Sequence, residues 1–129
     1  MREILFRAKR VKKYCKDQDW TEGVPFIDSD GDCIMATHCS KYVVDAETVG
    51  QYTGLTDKNG KKIFEGDIVR IIEHGKVLNG KIIFKNTYNG GWVVADITEQ
   101  SSCSLAMRNN VEVIGNIYDN PELLKGGAE

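Results

Sequence analysis

Three carboxylates, Glu47, Glu65 and Asp67, flank a turn-rich stretch in the middle of the chain. Converging acids can run general acid–base hydrolysis or hold a divalent cation. Glu65 and Asp67 are two residues apart, so on a strand they would share one face. Any strand offers that geometry, and the simpler expectation is solvated turn acids or carboxylates that accept hydrogen bonds from turn amides. No recognised catalytic arrangement accompanies them. Gly-x-Ser-x-Gly, the phosphate-binding Gly-x-x-x-x-Gly-Lys-Ser/Thr and His-Glu-x-x-His are all absent from the sequence. His38 and His74 are the near-neutral bases. The chain is expected not to be an enzyme, and no catalytic residue is assigned.

Metal chemistry has two candidates. Cys33, His38 and Cys39 are near one another, as thiolate and imidazole ligands of zinc would be. A structural zinc site needs a second ligand pair, and Cys103 and His74 stand alone, so free thiols and a surface histidine are expected. Asp28-Ser29-Asp30-Gly31-Asp32 has the look of a calcium loop. Counted from Asp28, the sixth and twelfth positions hold Cys33 and Cys39 where an EF-hand needs glycine and glutamate, so a hairpin turn is expected. No metal and no cofactor are assigned.

The third candidate is electrostatic. From Met1 to Lys16 there are seven basic residues and one acid. Arg7, Lys9, Arg10, Lys12 and Lys13 would be the nucleic-acid contacts, by attraction to phosphate. Against this, single-strand grooves interleave aromatics with their cations, and only Tyr14 and Trp20 lie near in sequence. The formal net charge of −2 and a pI near 5.7 also exclude binding by bulk charge. A solvated hairpin loop is the expected role of the run.

The elements that must position these groups are short and β-rich. Hydrophobic residues make up 41% and charged residues 28%, an ordinary globular balance. At 129 residues the chain suits one domain with a real core. The N-terminus lacks the apolar run and cleavage site of a signal peptide, and no apolar run suits a membrane span, so a cytoplasmic protein is expected.

Ile4, Phe6 and Ala8 alternate as one face of a strand, and Trp20–Ile27 would pair with it as a hairpin, with Pro25 at an edge or bulge. Cys33–Cys39 reads as a strand, residues 40–45 as a link, and residues 45–50 as a helical turn or an extended link. Asp57-Lys58-Asn59-Gly60 and Glu65-Gly66-Asp67 are turns. Strands then follow at Ile68–Glu73, Val77–Lys85 (with Asn79-Gly80 a bulge or local turn), Trp92–Ile97 and Val111–Tyr118. Asn86–Gly91 and residues 98–104 have loop composition. Asn120 is placed to cap a short helix with Pro121 at its first position. The fold class is mainly β: an N-terminal β-hairpin lobe over 1–46, a small SH3-like or OB-like β-barrel lobe over 47–124, a short C-terminal helix and a frayed tail at 125–129.

Several blocks strongly resemble the YopX family. They are Gly50-Gln51-Tyr52-Thr53-Gly54-Leu55, Asp57-Lys58-Asn59-Gly60, Phe64-Glu65-Gly66-Asp67-Ile68-Val69, and the closing Val113-Ile114-Gly115-Asn116-Ile117-Tyr118-Asp119-Asn120-Pro121-Glu122-Leu123-Leu124. The resemblance weakens between Tyr14 and Val44 and between Glu73 and Val111. It implies a phage- or prophage-encoded protein of Gram-positive bacteria with a mainly β fold, and it supplies no catalytic residue.

Two functions are therefore carried forward. The first is a non-enzymatic module that binds an unknown protein partner or assembles with itself, with Tyr52, Phe64, Trp92 and Tyr118 as interface anchors. The second is a nucleic-acid-binding small barrel using the Arg7–Lys13 cations. Neither involves a membrane.

Overall fold

The alternation at the start of the chain becomes a strand whose two faces differ in chemistry. β1 (Phe6–Lys9) buries Ala8 completely and packs Phe6 against the same core, which sends Arg7 and Lys9 to the other face. A computed structural model of the chain describes residues 4–73, 75–85, 91–95, 102–105 and 110–126. It divides into two compact units, Met1–Tyr52 and Thr53–Glu129.

In the first unit, β1 pairs antiparallel with β2 (Trp20–Ile27), giving the expected hairpin with Arg7 opposite Glu22 and Lys9 opposite Trp20. β2 then pairs with β3 (Cys33–Ala36), and β3 with β4 (Lys41–Val43). The first residues of β5 (Gly50–Thr56) close the row on the far side of β1, so the order is β4-β3-β2-β1-β5. Ala8, Met35 and Val44 form a small core, with Phe6, Cys33, Tyr42 and Val49 packed on it.

β2 changes partner along its length. Residues through Gly23 pair with β1, and residues from Val24 onward pair with β3. Pro25 falls in the part that β1 no longer flanks, so its missing N–H costs no hydrogen bond on that side. Gly23 sits at the changeover, where a Cβ would lie 2.1 Å from the Ala36 carbonyl oxygen.

Two expectations here are corrected. The strand expected through Cys39 stops at Ala36, because Thr37 and Ser40 bond to each other and close a turn. Residues 41–43, expected as part of a link, are β4; three residues carry too little pattern to register as a strand. Residues 46–48 form a 3₁₀ turn, and Asp45 caps it by accepting from the Glu47 amide at 3.1 Å. Thr48 fastens that turn to β1, accepting the Lys9 amide at 2.9 Å.

In the second unit, the remainder of β5 lies beside β6 (Lys62–Phe64). β7 (Asp67–Glu73), β8 (Lys76–Lys85), β9 (Gly91–Ala95), β10 (Ser102–Ser104) and β11 (Val111–Asn116) form an antiparallel sheet ordered β10-β9-β8-β7-β11. Its core is Ile63, Val69, Ile71, Ile82, Val94, Leu105 and Val111. The mainly β class stands. A closed barrel does not: among the described residues the row of strands ends at β10 and at β11.

Residues 102–104, of loop composition, are instead edge strand β10, held by pairing with β9. Gly80 is no bulge. It pairs in unbroken register with Val69, and it is glycine because a Cβ would meet Val94 Cγ1 at 2.6 Å and the Ala95 carbonyl oxygen at 2.9 Å. The register shift lies in β11 instead, between Val113 and Gly115. That strand ends at Asn116, and residues 117–119 form a turn. The short helix α1 (Glu122–Gly126) is present and packs against β8. Asn120 precedes it, with its backbone carbonyl accepting the Leu123 amide, and its Oδ1 accepts the Asn116 amide at 3.3 Å, which fastens the end of β11. The expectations for His74, for Asn86–Gly90, for Asp96-Ile97 and for the last three residues lie outside the described residues.

Candidate functional site

The turn acids are occupied by backbone. Asp57 is 93% buried, since its relative exposure is 7%. Its Oδ1 accepts the amides of Asn59 and Lys61 at 2.9 Å each, and Oδ2 accepts the Val113 amide at 3.0 Å. One carboxylate thus shapes the β5–β6 turn and ties it to β11. Burial alone would raise its pKa, but the three amide bonds and the Lys61 charge outweigh it and hold the carboxyl below its ordinary value. Asp67 is buried as well, and its Oδ2 accepts the Phe64 amide at 2.8 Å, closing the turn before β7.

The acids singled out for chemistry are divided between the two units. Glu47 is exposed on the 3₁₀ turn of the first unit, Glu65 is half-buried in the turn before β7, and Asp67 is inside the second unit. No group of three or more metal-ligating side chains occurs among the described residues. Cys33 packs beside the first core, where burial and then the Asp45 charge push its thiol pKa up; His38 and Cys39 sit exposed on the β3–β4 turn. Asp28 Oδ1 accepts the amides of Asp30 and Asp32 at 3.0 and 2.9 Å, so this oxygen is used in building the turn.

The four aromatic anchors fall into two kinds. Tyr52 and Phe64 are buried in their units. Trp92 is half-buried, packed on the second core and meeting Phe84 edge-on at 5.3 Å between centroids. Tyr118 is partly exposed, and its ring lies over Gly66. The same corner explains the motif glycines. The Gly66 amide donates to the Ile82 carbonyl, and its own carbonyl accepts the Ile117 amide, with φ at +91°. A Cβ at Gly115 would sit 2.6 Å from Asn120 Oδ1.

Two surfaces were not anticipated. The first is the tip of the β7–β8 hairpin, where Ile72, Val77 and Leu78 are 45%, 54% and 54% exposed. Ile72 pairs with Val77, and Leu78 pairs with Ile71, so the tip is apolar on both faces. The signal was in the sequence: Ile71-Ile72 and Val77-Leu78 are adjacent apolar pairs, and adjacent residues on a strand point opposite ways.

The second lies on the outer face of the first sheet. Arg7 stands 4.6 Å and Lys9 5.9 Å from the centroid of Trp20, and Lys41 stands 5.9 Å from that of Phe26. On the opposite, core-side face Arg10 covers Tyr42 at 4.3 Å, Tyr42 pairing with the buried Met35, and in the loop after β1 Lys13 lies 5.3 Å from Tyr14. Tyr14 and Trp20 are near the basic run in sequence; strand pairing adds Phe26 from β2 and Lys41 from the unanticipated β4. No helix among the described residues is long and apolar enough to cross a membrane.

A mainly β protein of two units, with Asp57, Asp67 and Gly66 committed to its turns, is the class these features define. The chain belongs to the YopX family: the family model described as YopX protein matches residues 5–125. It is similar over 96% of its length to the crystal structure of protein EF1440 from Enterococcus faecalis, covering 99% of that chain at 23% identity with a TM-score of 0.59. That likeness establishes the fold. No curated protein matches the sequence.

Proposed function

We propose that the protein works by binding rather than by catalysis, as a non-enzymatic module that associates with a second copy of itself. The observation that carries this reading is the apolar hairpin tip formed by Ile72, Val77 and Leu78. Half-exposed aliphatic side chains on both faces of a hairpin are costly in water, and a partner surface relieves that cost. A second copy fits because an uncharged patch is complementary to itself across a two-fold axis. The setting implied by the family resemblance, a phage or prophage protein in a bacterial cytoplasm, belongs to this reading.

Sedimentation equilibrium tests it. The full chain is expected to self-associate, and Val77→Lys with Leu78→Lys to weaken association at least about thirtyfold, the size of an interface hot spot. A wild-type chain that sediments as a monomer throughout overturns the proposal, as does a double variant that associates as well as wild type.

A further inference from the structure

Single-strand binding needs aromatic platforms with cations beside them along one open surface. Strand alternation and register place such a set on one face of the first unit. Trp20, Glu22, Val24 and Phe26 share a face of β2, since they are two apart. Lys9 is opposite Trp20 and Arg7 opposite Glu22, so both cations share it. Val24 pairs with Ala36, and Ala36 with Lys41, which brings Lys41 to the same face beside Phe26. Phe26 and Val24 are exposed, Lys41 is exposed, and Trp20 and Lys9 are half-exposed. Register thus brings Arg7, Lys9 and Lys41 to this face beside Glu22.

We propose that this face binds single-stranded nucleic acid, with Trp20 and Phe26 as the two stacking platforms and Lys9 and Lys41 as the phosphate contacts. The platforms are six residues apart on one strand, about 20 Å, which accommodates an extended strand of several nucleotides. Among the described residues three cation–aromatic contacts lie on this face, two at Trp20 and one at Phe26. Arg7 has Nε and Nη2 buried against the protein, so it orients the Trp20 ring rather than reaching a ligand. A duplex fits less well, because its bases are already stacked on each other and cannot use the rings. An acidic peptide would use the cations but not the platforms.

The test is fluorescence anisotropy with the full chain and labelled homopolymers of deoxythymidine and of uridine, about 15 nucleotides long. A duplex of the same length and a polyglutamate serve as competitors. Expected is binding to one or both single strands that weakens as salt rises, with little competition from duplex or polyglutamate. Phe26→Ala should weaken it about tenfold, and Lys41→Gln should weaken it and flatten the salt dependence. Lys58→Gln, an exposed cation of the second unit, should change neither. Thermal melts and circular dichroism matching wild type establish that Phe26→Ala and Lys41→Gln are folded. No binding at low salt overturns the proposal. So does binding unchanged in the Phe26→Ala, Lys41→Gln double variant, or equal competition by polyglutamate, which would mark an acidic-protein surface instead.

Discussion

Replacing Asp57 with alanine is expected to lower the unfolding free energy of the second unit by about 3–4 kcal/mol, since three backbone amides lose a charged acceptor together. The loss is large because the Val113 amide belongs to β11 while Asn59 and Lys61 shape the β5–β6 turn. One side chain holds pieces of chain more than fifty residues apart, Asp57 and Val113 being separated by 56 positions. The nearby Lys58–Glu112 ion pair, at 3.9 Å and well exposed, contributes little by comparison. Denaturant titration followed by Trp92 fluorescence, in a Trp20→Phe background, reads the second unit alone. Asp57→Asn should fall between wild type and alanine, because its amide oxygen still accepts one or two bonds.

The sign of the pH dependence follows from the same geometry. The folded carboxyl has a pKa below its unfolded value, so its contribution is fully present above the unfolded value of about 3.9. That contribution is lost as pH falls through the folded pKa. The stability gap between wild type and Asp57→Asn should therefore be constant near neutrality and shrink in acid. A gap that widened below pH 4 would mean that Asp57 is not stabilised as the anion.

Gly23→Ala is expected to cost about 3 kcal/mol or more in the first unit, at the upper end of what overpacking does. The methyl would sit 2.1 Å from a backbone carbonyl oxygen, that of Ala36, and backbone cannot move aside as a flexible side chain does. Relief would require parting β2 from β3 where β2 changes partner. Gly31→Ala is the comparison. Its φ of +86° strains any other residue, but no atom lies within 4 Å of the new methyl, so about 1 kcal/mol is expected. Trp20 fluorescence in a Trp92→Phe background reports the unfolding of this unit. Equal effects at the two glycines would show that close approach is not what selects Gly23.

The β elements were legible where local pattern and pairing agree. β1, β2, β7 and β8 each combine alternation or a β-branched run with turn residues at their ends, and the turns at 57–60 and 65–67 carry glycine at the position that needs positive φ. β4 and β10 escaped notice because each is three residues long and takes its conformation from a neighbour's hydrogen bonds. The candidate sites were less legible. Asp57 and Asp67 advertise chemistry by type, yet burial beside backbone amides makes them structural. The Arg7–Lys9–Trp20 cluster shows only when the hairpin register sets Lys9 across from Trp20.

By itself the sequence determined the strand-rich class, the turn chemistry and membership of a family through its glycine and asparagine blocks, because these depend on backbone angles and on neighbours a few residues away. Tertiary structure alone decided which carboxylates are buried, which aliphatic residues remain exposed and which cations meet which rings. Those outcomes depend on strand register, and in an antiparallel sheet a shift of one residue exchanges every side chain between the two faces.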